Sequence, residues 1–587
     1  MMLCHNKRGI LGLCLFAVLP AAAPAESIVH TKHNLSVTSP GPIKASSETD
    51  VCIFCHTVHH TTGQTPLWSH AMSSVSNYVI YSSPTMKATV GQPDGSSRLC
   101  LSCHDGTVAL GMVSCRSTPI PMEGSTTTLP PGPSNLGTDL SGDHPISFVY
   151  DQTLASQDPS IKDPTTIDKK LKLDHLHKLQ CVTCHNPHDD QFGSFLVMDN
   201  TGSAICLGCH IEPGWDASSH ATSSAKVTAL KTAQVLTNKA PNTVAASACQ
   251  SCHSSHKAGS KGRLLIHSPE EQNCFVCHNG TVVEKDLRAE FNKPSSHPVL
   301  RTSTTHRANE DPVNSPRHTA CSDCHNPHSV RKSVTSLRNA PRLISGLKGV
   351  NSVGVVVNAT RQYELCFRCH SESLNRGPAR VTRQFSDTNK RLQFDLSNQS
   401  FHPVESAGKN PNVPSLISPW TTASQMECTD CHNNDQGFKA GGSGADGPHG
   451  SAFTPILERQ CLLTDETPES PGNYALCYKC HSRTSILGDQ SFRAVNSLGQ
   501  DRGHRFHIVD QRTPCATCHD SHGVASTKAL INFNTLYVKS TSTGRPIQYI
   551  STGLSSGNCT LNCHGFDHDM TSYPSAPLTS LQKKIRR

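Results

Sequence analysis

Cys181-Val-Thr-Cys-His-Asn-Pro-His188, followed by a second Cys-x-x-Cys-His core at Cys206-Leu-Gly-Cys-His210, decides how the chain is read. The same core stands at Cys52/Cys55/His56, Cys100/Cys103/His104, Cys249/Cys252/His253, Cys274/Cys277/His278, Cys321/Cys324/His325, Cys366/Cys369/His370, Cys428/Cys431/His432, Cys477/Cys480/His481 and Cys515/Cys518/His519. A twelfth copy, Cys559/Cys563/His564, has three residues between its cysteines. Two thiols at this spacing with an imidazole directly after them are the signature of c-type haem attachment. The thiols add across the two vinyl groups of one porphyrin, and the next side chain is held against the iron as an axial ligand. Zinc also takes paired Cys with His, but it has no need of a His immediately after the second Cys in every copy. The expectation is twelve covalent haem c groups.

Of the 28 cysteines, the motifs use all but four. Cys4 and Cys14 fall in a leader in which Lys7 and Arg8 precede an apolar run from Gly9 to Leu19. Ala23-Pro24-Ala25 then offers a signal-peptidase site, so residues 1–25 are expected to leave. Leu13 precedes Cys14 where a lipoprotein would place a small residue. No other stretch approaches the roughly 20 apolar residues of a membrane span. The chain is expected to be exported, outside the reducing cytosol. Cys115 and Cys461 remain, as a disulfide or as two buried thiols.

The 35 histidines supply the other axial positions, since nine methionines are too few for His/Met ligation throughout. Odd-numbered motifs carry a further His three residues on: His59, His188, His256, His328 and His522. The ninth motif lacks it, and His449 is its substitute. Even-numbered motifs are followed by an isolated His, often before Pro: His144, His220, His297, His402, His504 or His507, and His568. His30 and His33 stand in reserve. Bis-histidine ligation is the expectation. Spacing does not decide which His reaches which iron, because a ligand can cross to a neighbouring haem.

Apolar residues make up 35% of the chain and aromatics 5%, too little for an ordinary core at 587 residues. The fold expected is a multihaem cytochrome c with low regular secondary structure. It would have short α-helices around the motifs, few strands, and the haems as its core. Residues 126–137, 411–422 and 441–448 look like loops, and 226–239 carries a weak helical period. The haem-binding regions are drawn at 26–235 (haems 1–4), 236–420 (haems 5–8) and 421–587 (haems 9–12). The formal charge of +7 is dispersed, and Lys583 to Arg587 is a solvated tail rather than a nucleic-acid site. Ionised propionates would turn the loaded protein acidic.

The motifs form an internal repeat of six doublets, with first-Cys spacings of 48, 25, 25, 45, 49 and 44. In this the chain resembles the multihaem c-type cytochromes with doubled CXXCH motifs, over nearly all of its length. The wider twelfth motif and the missing His after His432 depart from that pattern. The resemblance implies an electron carrier of the periplasm or outer surface, similar to those of bacteria that respire metals. It implies other c-type cytochromes and a porin-like outer-membrane barrel as partners, and a metal oxide as terminal acceptor. An enzyme of the nitrite or hydroxylamine oxidoreductase kind would need one iron with an open position. A surface cytochrome with β-sandwich domains would need more room than the 76 residues from Asp105 to Gln180, the longest gap between motifs.

Overall fold

In an odd-numbered motif the chain makes one helical turn and stops. Cys181–Cys184, Cys321–Cys324 and Cys515–Cys518 are four-residue helices, and Ala248–Ser251 and Cys428–Asp430 are 3-10 turns. The third residue of the turn caps it. The side chains of Thr183, Asp323 and Asp430 accept from the N–H of Gln180, Ala320 and Glu427, which satisfies a donor that the first turn leaves orphaned. The turn ends because the histidine leaves the helical region: His185, His325 and His519 are extended at φ −121°, −134° and −103°. The histidine N–H still bonds the carbonyl of the first cysteine, as at His185 N–H to Cys181 O, 3.0 Å. The second, fourth, sixth, eighth and tenth motifs instead lie on helices that begin earlier, the longest being Gly95–His104 and Gln362–His370.

The computed structural model describes residues 27–59, 67–124, 127–227, 243–301, 319–331, 344, 346–373, 379–494, 500–553 and 556–573. The leader, most of the 226–239 segment, Thr126 and the basic tail lie outside them. Regular structure is sparse, as expected. Two-residue strands pair over long sequence distances, Ser295–Ser296 with Gly450–Ser451 and Ser400–Phe401 with Gly523–Val524. Gly450 and Gly523 are required there: a Cβ would stand 1.8 Å from Glu290 O and 1.9 Å from Gln393 O. The exception to the sparseness is C-terminal. Gln548–Gly553, Ser556–Cys563 and Phe566–Tyr573 form an antiparallel meander, with Val538–Lys539 also pairing on Ser556–Cys563. The twelfth motif is therefore a strand and not a helix.

The described apolar clusters are small. The largest hold four buried residues, such as Val350, Phe367, Phe394 and Val404, and motif cysteines pack against five of the six. Among the described residues no helix is long and apolar enough to cross a membrane.

Candidate paired-histidine sites

Among the described residues eleven pairs of imidazoles face each other with ring centres 6.1–6.4 Å apart. Motif histidines take part in ten of them: His56 with His188, His104 with His33, His185 with His256, His210 with His144 and His253 with His328. The others are His278 with His220, His325 with His449, His370 with His297, His432 with His522 and His519 with His504. The eleventh pair is His507 with His568, at 6.1 Å. For the tenth motif, His402 is the first imidazole whose charge acts on His481. The separation is constant while the interplanar angle runs from 11° to 78°. Direct aromatic contacts would change distance with orientation. A metal between two ring nitrogens fixes the distance and leaves the twist free, at about 2 Å to each nitrogen and about 1 Å on to each ring centre.

The rings are oriented for that role. In eleven of these histidines Nδ1–H donates to a backbone carbonyl at 2.6–3.0 Å, which turns Nε2 toward the facing ring. Burial pushes His33, His144, His185, His253, His278, His481 and His568 down to about 4, so they are neutral donors at neutral pH. Burial also pushes His328 down, but its Nδ1 lies 3.2 Å from Glu212 and that ion pair wins, holding it above the ordinary value.

A recurring clamp holds the odd-motif histidines. Leu196, Leu265, Leu457 and Ile531 bridge His185, His253, His432 and His519. The carbonyls two residues earlier, at Ser194, Arg263, Pro455 and Ala529, take the Nδ1 protons. Between carbonyl and bridge sits an apolar residue in the left-handed region: Phe195 at φ 58°, Leu264 at 53°, Ile456 at 55° and Leu530 at 58°. Leu67, at 58°, holds the same place beside Trp68, which bridges His56. Such strain persists only where the surroundings over-determine it.

The second histidines arrive two at a time. The strand pair joining Ser296 to Gly450 brings in His297 and His449 side by side, and that joining Phe401 to Gly523 brings in His402 and His522. His144 N–H bonds Ser255 O beside His256, His220 Nδ1 bonds Pro327 O beside His328, and His33 Nδ1 bonds Pro187 O beside His188. Each doublet thus receives one histidine from the chain before it and one from the first motif region of the next doublet. At the last doublet His504 and His507 both come from the segment before it.

His33 and His507 therefore stand where the sequence held one in reserve and the other as an alternative. Among the described residues no imidazole faces His59. His564 faces none either: its Nε2 lies 2.8 Å from Asp465 Oδ2.

The cysteines follow the same order. The first cysteine of each even motif meets the first of the next odd motif: Cys100 with Cys181, Cys206 with Cys249, Cys274 with Cys321, Cys366 with Cys428, and Cys477 with Cys515. Within doublets the second cysteines are neighbours. Burial pushes Cys184, Cys252, Cys431 and Cys518 up to about 12, and the charges of Cys209, Cys277, Cys480 and Cys563 push the same way. In the fourth doublet the charge of Cys369 acts likewise on Cys324, which burial pushes up.

Cys369 and Cys52 are exposed, whereas the other motif cysteines are half-buried. The reason at Cys369 is its place on the helix Gln362–His370. That helix buries Glu364, Phe367 and Arg368 and ends one residue after Cys369, so the thiol falls at the margin of the packed face. As a haem anchor Cys369 is supported by its motif spacing and by its neighbour Cys324, not by burial. Haems attached at Cys52 and Cys369 would carry those thioether edges at the protein surface.

Cys115 lies 3.6 Å from Ser69 Oγ and Cys461 against Cys477, so these two are separate free thiols rather than a disulfide. Among the described residues no three His, Cys, Asp or Glu side chains converge as a zinc site would require. Paired thiols beside paired, neutral, Nδ1-anchored imidazoles fit haem c.

The chain is a multihaem c-type cytochrome with doubled CXXCH motifs. The family model described as the doubled CXXCH motif matches residues 175–213 and 242–282, which hold the third to sixth motifs. A second, described as outer membrane cytochrome MtrC/MtrF-like, domains II/IV, matches residues 354–530, which hold the eighth to eleventh. No curated protein matches the chain.

Proposed function

We propose that the protein is a dodecahaem conduit that passes electrons between periplasmic donors and an outer-membrane or extracellular acceptor. The observation that carries this is serial order: each motif's cysteines neighbour those of the next, from Cys55 beside Cys103 to Cys518 beside Cys563. Bound at these cysteines, haem supplies one-electron exchange; the chain supplies attachment, placement and tuning. The facing histidines would hold each iron from both sides, which would favour electron transfer over substrate binding and keep potentials low. The small apolar clusters leave the interior to the porphyrins. The outer-membrane cytochrome match supports export, outer-membrane association and other c-type cytochromes as partners; a porin-like barrel as a further partner and a metal oxide as acceptor complete the proposal. Intact-protein mass spectrometry tests the count: twelve covalent haems are expected, eleven would remove the count of twelve, and fewer than eleven would overturn the multihaem reading of the motifs. Protease treatment of intact cells followed by haem-stained gels tests the location, and protection of the band argues against surface exposure.

A further inference from the structure

We propose that the twelfth haem is held axially by His507 and His568, and that His564, the histidine of its own motif, is not a ligand. This deepens the conduit reading and rests on it, since it takes a haem to be attached at Cys559 and Cys563. The argument begins with the extra residue between those cysteines.

In a helical Cys-x-x-Cys-His the first cysteine's carbonyl takes the histidine N–H, and the ring swings back beneath the two thiols. The strand Ser556–Cys563 has no such turn. Successive side chains of a strand point to opposite faces, so Cys559, Leu561 and Cys563 share one face and the residue after Cys563 is not among them. His564 and Gly565, at φ 52° and 76°, are the two central residues of the hairpin loop leading into Phe566–Tyr573. Two left-handed residues there match the right-handed twist of the flanking strands. The loop holds His564 at the tip, exposed, with Nε2 turned to Asp465 Oδ2 at 2.8 Å. Six other motif histidines do the reverse, bonding through Nδ1 and leaving Nε2 for the metal.

The hairpin supplies a replacement. His568 is in register with Leu561 and Phe566 with Cys563, and directly paired residues of an antiparallel ladder share a face. His568 therefore stands on the cysteine face, across the hairpin from where the motif histidine would be. Its ring centre is 6.1 Å from that of His507, at 31°, within the range of the other pairs. His507 Nδ1 donates to Gly503 O at 2.9 Å. His507 lies three residues after His504, which faces His519 of the neighbouring motif, so one segment serves both irons of the last doublet. Phe492 packs against both His504 and His507, at 5.3 and 5.5 Å.

The test uses the full-length protein, matured with haem, read by intact mass and by low-temperature electron paramagnetic resonance. His568→Met is expected to keep twelve haems and to give one of them the near-infrared charge-transfer band of methionine ligation. His568→Ala and His507→Ala are each expected to turn one haem of twelve high-spin. His564→Ala is expected to leave every haem low-spin. Should maturation fail at His564→Ala and one haem be lost, the methionine band of His568→Met still supports the assignment. Its absence from a protein carrying twelve haems overturns it, as does a high-spin haem from His564→Ala at full haem count. A wild-type mass short of the twelfth haem removes the attachment itself, and with it both this assignment and the count of twelve.

Discussion

His432 and His522 lie ring to ring at 6.2 Å and 11° from parallel, although His522 belongs to the motif two places further along the chain. The same exchange joins His56 to His188, His185 to His256 and His253 to His328. A substitution in one motif region should therefore be felt at an iron two motifs earlier. His522→Ala is expected to leave one haem of twelve five-coordinate and high-spin, with low spin restored by added imidazole. His504→Ala should do the same at the eleventh motif, and the double variant should give two high-spin haems. If His522 instead served the iron of its own motif, His504→Ala would be silent.

Apart from the His507–His568 pair at 31°, the interplanar angles fall into two groups by motif parity. Odd-motif pairs lie between 11° and 43°. The pairs at the second, fourth, sixth and eighth motifs lie at 70°, 78°, 77° and 60°. Near-parallel axial imidazoles split the iron d orbitals rhombically, whereas near-perpendicular ones leave them nearly degenerate. Electron paramagnetic resonance of the oxidised protein is expected to show both a rhombic low-spin signal and a large-gmax signal. The large-gmax species should account for at least four haems; a single rhombic class would contradict the geometry.

The attachment residues were legible because covalent chemistry fixes their spacing. The surroundings of each thiol were not, and the exposure of Cys369 follows from how its helix packs rather than from the motif. The axial partners were less legible still: spacing left open which histidine reaches which iron, and it is the ring pairing that sets His188, His256, His328 and His522 opposite histidines two motifs earlier. The register contained the answer. If the histidine three residues past an odd motif serves the previous doublet, His59 has no client and one histidine must precede the first doublet, which is where His33 stands. The twelfth motif hid a hairpin in the same way. Cys559-Thr-Leu-Asn-Cys563 alternates, and His564-Gly565 is a turn pair, but the attachment signature overlay both. The left-handed apolar residues at 195, 264, 456 and 530 left no trace, because glycine or asparagine is what such a position advertises.

No described apolar cluster has more than four buried residues, and motif cysteines line most of them. Side-chain burial on that scale does not offset the chain entropy of a protein this long. Chain produced without haem attachment is expected to lack both the helical circular dichroism and the protease resistance of the native protein. An apo-form that kept both would show that the side chains suffice.

Glu405 is half-buried, and its Oε1 has no hydrogen-bond partner. Burial, with the nearby charge of Asp395, raises its carboxyl to about 7. The folded protein thus keeps a proton that the unfolded chain releases near the ordinary carboxyl value of about 4.3. Its contribution to stability is present below that value and is lost as pH rises to about 7. Glu405→Gln keeps the neutral amide throughout. It is expected to change little at pH 4 and to stabilise by about 1 kcal/mol at pH 8, less than the roughly 3 kcal/mol of the full shift because solvent screens the site. Denaturant unfolding of the holoprotein at the two pH values checks this.

The clamp on the odd-motif histidines makes the last prediction. Leu530, at φ 58°, stands between Ala529, whose carbonyl takes the His519 Nδ1 proton at 3.0 Å, and Ile531, which bridges His519. A side chain unbranched at Cβ, such as leucine, tolerates this conformation at a cost of about 1–2 kcal/mol, and a β-branched one, as Ile456 is at φ 55° in its own clamp, is held there only at a higher cost because its second γ-carbon meets the backbone. Leu530→Val is expected to destabilise the holoprotein by about 1–2 kcal/mol. By letting the loop relax it should also weaken the bond to His519. A less basic imidazole favours ferrous iron, so the potential of one haem should rise. Leu530→Asn accepts the left-handed region more readily and should keep the wild-type potential while losing only the leucine's packing. Denaturant unfolding and a spectroelectrochemical titration of the three proteins separate these effects, and equal behaviour of the valine and asparagine variants would rule out backbone strain as the reason for the clamp's geometry.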